Sequence, residues 1–263
     1  MSANKTNGPG RETAVLLYDV ETSPNLAYVW GKYEQNVLGD FVEERQIISV
    51  SWKWLGEKKI YVLSARMLPG YRAGKPINNK ALMIHLHGLF SQADIVVGQN
   101  IDEFDDKMSN TGFIKHGLPP PPPHKTVDTL KVARAKFRFN SNSQGDLGKF
   151  LGLGEKVKHW GFELWVRCLK GDPKAWALME RYNMGDVRLL ERVYLKLRPW
   201  MTNHPSMTAL DGKFGNCPMC RSKNLERRGF GLLSGGTRRQ RFQCRDCAKW
   251  STGVPHWDGW RFK

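Results

Sequence analysis

The chain has 263 residues, 40% of them hydrophobic, with ten tryptophans and a net charge of +16. That length holds one full domain with a real core plus a small appendage, and no stretch approaches the ~20 apolar residues of a membrane span. Met1 to Glu12 is polar, contains Gly and Pro, and lacks the apolar centre of a signal peptide. It reads as a disordered tail on a soluble, cytoplasmic protein with no membrane partner.

Ala14-Val15-Leu16-Leu17-Tyr18 is apolar on both faces, as in a strand buried from two sides. Strand side chains alternate, so Val15, Leu17, Asp19 and Glu21 share one face. Two carboxylates thus lie side by side where the apolar run ends. Unpaired buried charge is costly, so such a pair either binds cations or frays into solvent at Thr22-Ser23-Pro24. Ala27–Tyr33, Ile47–Trp54 and Lys59–Leu63 read as further strands, the middle one alternating around Ser49, Ser51 and Lys53. Asn78–Ser91 reads as a helix and Asp94–Gly98 as a strand. A helix over Asp102–Lys115 follows, with Asp102, Glu103, Asp105 and Asp106 in a first turn whose dipole favours negative charge. Phe104 beside Asp105 is the distinguishing pair, an aromatic anchor next to a candidate ligand.

Five prolines, Pro119–Pro123, predict a stiff polyproline II connector. Thr126–Asp128 reads as a short strand, and Leu130–Phe137 and Asp146–Leu151 as helices. Gly154–Arg167 mixes Lys156, Lys158, His159, Trp160, Phe162, Trp165 and Arg167. Such a stretch either stacks bases and tracks phosphates or packs its aromatics on the sheet. Asp172-Pro173 supplies an N-cap and first-turn proline for a helix over Pro173–Leu197. In it Tyr182 and Asp186, four apart, stack on one face. Strands first, then helices interleaved with strands, predict an α/β mixed sheet.

Residues 201–210, opening with Met201–Pro205, read as a linker between a domain over 13–200 and a module over 211–263. The module holds Cys217-Pro218-Met219-Cys220 and Cys244-Arg245-Asp246-Cys247. Two such knuckles suit one structural Zn²⁺ in a closed tetrahedral site. The intervening 23 residues fit a hairpin, Arg227–Leu233 and Thr237–Gln243 around Ser234-Gly235-Gly236, similar to a zinc ribbon. Cys168, His204 and His256 stand outside the pattern as incidental residues. From Met201 to Lys263 there are twelve Lys/Arg against four Asp/Glu, +8, half the excess charge in a quarter of the chain. Basic charge beside aromatics marks a polyanion binder. Arg227, Arg228, Arg238, Arg239 and Arg241 are the expected nucleic-acid grip, with docking of a protein partner as the alternative use of a ribbon.

Taken together, Asp19-Val20-Glu21, Asn100-Ile101-Asp102-Glu103-Phe104-Asp105 and Tyr182-Asn183-Met184-Gly185-Asp186 resemble the three motifs of the DEDD (DnaQ-like) 3′–5′ exonucleases, in their tyrosine-type subgroup. That superfamily includes polymerase proofreading domains and ribonuclease D. The resemblance spans roughly Ala14 to Pro199. It implies an RNase H-like mixed β-sheet flanked by helices and a catalytic set of Asp19, Glu21, Asp105, Tyr182 and Asp186. Asp19 would bridge two Mg²⁺ or Mn²⁺ ions roughly 4 Å apart, Glu21 and Asp186 would complete the water-activating site, and Asp105 would hold the second ion. Asp102 and Asp106 are the alternatives to Asp105. Tyr182 would align the attacking water, and Asn100 would contact the nucleic acid. Gln99 departs from relatives that carry histidine before the Asn. The implied substrate is DNA or RNA, DNA favoured, at single-stranded 3′ ends. The alternatives are a non-catalytic nucleic-acid-binding or docking protein, or an endonuclease, on the same fold.

Overall fold

The computed structural model describes residues 12–33, 36–212, 215–232, 235–256 and 259–262. Apart from Glu12, the expected N-terminal tail lies outside these, as do Leu233 and Ser234 of the expected hairpin. Strand β1 (Val15–Thr22) is the centre of a five-stranded mixed sheet. It pairs antiparallel with β2 (Ile47–Trp54), which pairs antiparallel with β3 (Tyr61–Ser64). After helix α1 (Lys80–Phe90), β4 (Ile95–Gly98) joins the other side of β1 in parallel. Helix α2 (Asp105–Lys115) leads to β5 (Lys125–Asp128), parallel to β4, so the order is β3-β2-β1-β4-β5. Helices α3 (Thr129–Lys136), α4 (Gln144–Phe150), α5 (Glu163–Leu169) and α6 (Pro173–Leu197) complete this unit. The architecture is RNase H-like: a mixed α/β sheet flanked by helices, with a four-cysteine cluster near the C-terminus.

The alternation on β1 divides two cores. Leu16, Tyr18 and Val20 pack with Val50, Leu86, Phe90 and Trp176. Val15 and Leu17 pack with Ile95, Val97, Val187, Leu190 and Val193. The 25-residue α6 contributes to each core, and Asp172 caps it by accepting from the backbone N–H of Lys174 at 2.8 Å. The cap and the first-turn proline fix its start where the sequence placed it.

The remaining elements are α7 (Met207–Asp211) and a four-stranded antiparallel sheet, β6 (Leu225–Leu232), β7 (Arg238–Cys244), β8 (Trp250–His256) and β9 (Gly259–Phe262), in that order. Within residues 201–210, Met201 and Met207 are buried in the core that holds Leu17 and Val193. No helix among the described residues is long and apolar enough to cross a membrane.

Several local expectations are corrected. Ala27–Tyr33 is not a strand: only an isolated bridge, Leu26 to Glu43, forms there, and Tyr28, Trp30 and Tyr33 are exposed. High β propensity without a surface to cover does not make a strand. The alternating polar positions of β2 are buried, because α6 lies over them: Ser49 bonds Asn183 and Lys53 pairs with Glu191. Helix α2 starts at Asp105, so Asp102 and Glu103 precede its first turn. Helix α5 and strands β8 and β9 have no counterpart among the sequence expectations.

Candidate metal centre and nucleic-acid interface

Beyond Leu17 the alternation of β1 brings Asp19 and Glu21 to the α6 side of the sheet. There a ligand oxygen from each lies within 4.8 Å of the others and of one from Asp186. Asp186 is 2% exposed, and its Oδ1 is buried with no hydrogen-bond partner. Burial is the main cause that raises Asp19 well above the usual carboxylate range, followed by repulsion from Asp105, Asp186 and Glu21. Glu21 is pushed up to about 8, first by burial and then by Asp186, against the lowering effects of the Lys156 charge and a hydrogen bond from Trp165. Three carboxylates that repel one another, one with an orphaned oxygen, form an oxygen-only donor set of the kind hard divalent cations require. The residues therefore fit such a cation.

Asp105 stands outside that group of three but beside it. Its Oδ1 accepts from the backbone N–H of Val20, between the two β1 acids, at 3.2 Å. Burial raises it to about 7. The other acids nearby are occupied: Asp102 pairs with Lys131 at 2.8 Å, Glu103 with Lys107 at 2.5 Å, and Asp106 accepts from the Tyr18 hydroxyl at 2.9 Å. Asn100 has a left-handed backbone (φ 63°), and its N–H donates to Asp128 at 2.9 Å. Asn100, with Asp19, Gln99, Arg134, Ser143 and Lys156, lines a cleft of about 570 Å³. Gln99 spans that cleft's wall, donating to the Asn142 carbonyl at 2.8 Å and accepting from Thr129.

Tyr182 is buried one turn before Asp186, and burial, then Asp186, push its phenol further above its ordinary value. Two further residues meet this site. Asn183 donates to Asp19 Oδ2 at 2.7 Å while accepting from the Ser49 hydroxyl at 2.8 Å, which fixes the Asp19 rotamer. Lys156 donates to Asp186 Oδ2 at 2.7 Å and to the Tyr182 hydroxyl at 3.4 Å. The stretch before α5 thus closes over the carboxylates, with His159 and Trp165 ringed around Tyr182. Gly185 permits that approach, since a Cβ there would stand 2.7 Å from Val157 Cγ2. A glycine in mid-helix is the sequence signal for such close packing, and it went unused. Asn183 carried no signal of its own.

The cysteines converge equally well. Sγ of Cys217 lies 3.6 Å from that of Cys247, Sγ of Cys220 lies 3.6 Å from that of Cys244, and all four fall within 4.8 Å. A tetrahedral ion with sulfur at about 2.3 Å sets edges near ~3.8 Å, whereas a disulfide needs about 2.05 Å. The residues fit zinc. Cys168 is buried elsewhere, and His204 bonds Tyr194 at 2.7 Å and stays apart from the cluster. The side chain of His256 lies outside the described residues. Of the basic residues, Arg227 and Arg228 lie on β6 and Arg238, Arg239 and Arg241 on β7. Arg228 pairs with Glu226 at 2.9 Å, and the Arg238 guanidinium sits 4.4 Å from the Phe230 ring centre.

With this geometry in place, solved structures give a match. The chain is similar in fold to a family B DNA polymerase. That polymerase, from the hyperthermophilic archaeon Pyrobaculum calidifontis, aligns with a TM-score of 0.52 and 15% identity. The match covers 72% of this chain and 25% of the polymerase, so the chain spans about a quarter of it. The likeness is one of fold. No protein-family model and no curated protein sequence matches the chain.

Proposed function

We propose that this protein is a metal-dependent 3′–5′ exonuclease acting on nucleic acid, with DNA favoured. The observation that carries the proposal is the convergence of Asp19, Glu21 and Asp186 within 4.8 Å, with one Asp186 oxygen buried and unpartnered. The polymerase likeness supports a nucleic-acid role, because the motifs resemble a superfamily that includes polymerase proofreading domains.

In this reading Asp19, Glu21 and Asp186 would hold one Mg²⁺ or Mn²⁺, and Asp105 would help to hold a second. Ions held there would supply charge neutralisation for the attacking and leaving oxygens of an in-line displacement. The protein's own contribution is positioning. Asn183 fixes Asp19, Lys156 offsets the charge of Asp186 until an ion displaces it, and the Tyr182 hydroxyl would orient the water that attacks the terminal phosphodiester. Asn100 contacts the substrate from the cleft wall. Residues 13–200 form the catalytic unit, and residues 211–263 a zinc ribbon whose arginines help hold the strand.

One observation favours a second reading, a non-catalytic nucleic-acid-binding protein. Lys156 already supplies a positive charge to Asp186 at 2.7 Å. Substrates separate the possibilities. Linear single strands labelled at the 5′ end are expected to shorten stepwise with Mg²⁺ or Mn²⁺, and circular single strands to resist. Cuts in circles would assign an endonuclease instead. DNA and RNA of one sequence, assayed side by side, decide the sugar preference.

A further inference from the structure

Strand β1 connects the two candidate sites end to end. At one end it carries Asp19 and Glu21. Just before its other end, Thr13 is clamped by the cysteine module. The Thr13 N–H donates to Asp211 Oδ1 at 2.5 Å, Arg221 donates to the Thr13 carbonyl at 2.5 Å, and Arg221 pairs with Asp211 Oδ2 at 2.7 Å. The Met207 N–H donates to the Pro218 carbonyl at 2.8 Å, and Cys217, Met219 and Cys244 are buried in the same core as Leu17. The module is therefore fixed in place by buried contacts. From Thr13 to Asp19 an extended chain at 3.3 Å per residue covers about 20 Å.

The module's sheet has two unlike faces. Cross-strand pairing sets Gly231 opposite Arg239, Arg241 opposite Thr252 and Gln243 opposite Trp250. Alternation places Arg239, Arg241 and Trp250 together on the face where β6 offers Gly231, while Phe230 and Leu232 fall on the opposite face. The Arg241 side chain lies across β6, because a Cβ on Gly231 would come within 3.2 Å of its Cδ. Its guanidinium stands 5.9 Å from the ring of Trp250, which is 48% exposed. Arg239 Nε is buried with no hydrogen-bond partner. Among the described residues no carboxylate pairs with Arg239 or Arg241. A flat surface of guanidinium planes and an indole supplies phosphate contacts and base stacking at once, the chemistry of single-strand binding.

We propose that this glycine-backed Arg239–Arg241–Trp250 face is a second single-strand-binding site, fixed relative to the carboxylate cleft, so that a strand long enough to touch both is held more tightly than one that touches either alone. The proposal rests on the nuclease reading for the identity of its ligand. Its test reads binding and not cleavage, so the two can fail separately.

Fluorescence anisotropy of the full chain, with Mg²⁺ and Mn²⁺ omitted, is measured on single-stranded oligonucleotides of one composition and increasing length, at fixed low salt. Affinity should rise about tenfold or more between strands of about four and about sixteen nucleotides. Trp250→Ala should reduce that rise to less than about threefold. The double variant Arg239→Ala/Arg241→Ala should do the same, and Gly231→Val tests the backing independently by displacing Arg241 without removing its charge. Zinc content verifies that each module is folded. A rise that is absent in the wild type, or undiminished in variants that keep their zinc, overturns the proposal. Cleavage by a protein without the length-dependent gain would contradict this second site and leave the exonuclease reading intact.

Discussion

Lys156 donates to Asp186 Oδ2 at 2.7 Å, joining a side chain 35% exposed to one 2% exposed. The ammonium thus occupies an oxygen that a divalent cation would take, and its long stem can swing into solvent. An ion pair with one exposed member stabilises by no more than about 1 kcal/mol, or roughly a fivefold effect on a competing equilibrium. Lys156→Met should therefore tighten Mn²⁺ binding by about fivefold, measured by calorimetric titration of the nucleic-acid-free protein. Equal or weaker affinity would show that the lysine does not compete for the site.

Asn183 acts on Asp19 from behind, with Ser49 holding Asn183 in turn. Outer groups that orient metal ligands typically contribute 10–100-fold to activity or metal affinity. Asn183→Ala should lower the cleavage rate by about that range. It also leaves the buried Ser49 hydroxyl without its acceptor, at about 1–3 kcal/mol in stability. Asn183→Asp restores an acceptor for Ser49 but sets a new carboxylate against Asp19, so it should recover little activity. Rates and denaturant melts of the two variants check this.

His204 predicts a pH dependence. With Nδ1 donating to the Pro205 carbonyl at 2.7 Å, Nε2 is left to accept from the Tyr194 hydroxyl at 2.7 Å, which satisfies the neutral ring. Burial lowers it to about 4. A histidine depressed in the folded state binds fewer protons there than when unfolded, so its contribution is intact above about pH 6.5 and is lost as pH falls towards 4. The loss is on the order of 3 kcal/mol. Melting temperatures across that window should fall less steeply in His204→Gln than in the wild type; parallel curves would contradict the assignment.

The clamp between module and sheet can be cut at one residue. The Asp211 side chain is fully buried, and its only cationic partner among the described residues is Arg221. Removing one member of such a pair strands the other and costs about 3–5 kcal/mol. Arg221→Ala should lower stability by that order, and Cys217→Ser should reduce bound zinc below the about one ion per chain expected of a single four-cysteine site. Elemental analysis and chemical denaturation of both variants provide the check.

The fold was legible where periodicity and punctuation agreed. The two-sided apolar run before Asp19, the Asp172-Pro173 cap and the paired Cys-x-x-Cys knuckles each dictate their surroundings through short-range physics. What escaped depends on contacts between distant segments. Ser49 and Lys53 look like the solvent face of β2 until α6 covers them. The aromatics from Tyr28 to Tyr33 have strand propensity but no partner surface. Lys156 reaches the carboxylates only because Gly185 lets its loop approach α6, and Asn183 becomes important only once Asp19 is beside it. Spacing alone also left Asp105 open among four acids. In the fold Asp105 accepts from the Val20 N–H, while Asp102, Glu103 and Asp106 have partners elsewhere.

The central claim is that Asp19, Glu21 and Asp186 hold catalytic metal. Its most direct measurement compares wild type with Asp19→Ala on a 5′-labelled single strand, with and without Mg²⁺ or Mn²⁺. The account predicts a ladder of stepwise shortened products for the wild type only when metal is present, and none for Asp19→Ala under any condition. Tight binding of the strand with no metal-dependent cleavage by the wild type would contradict it.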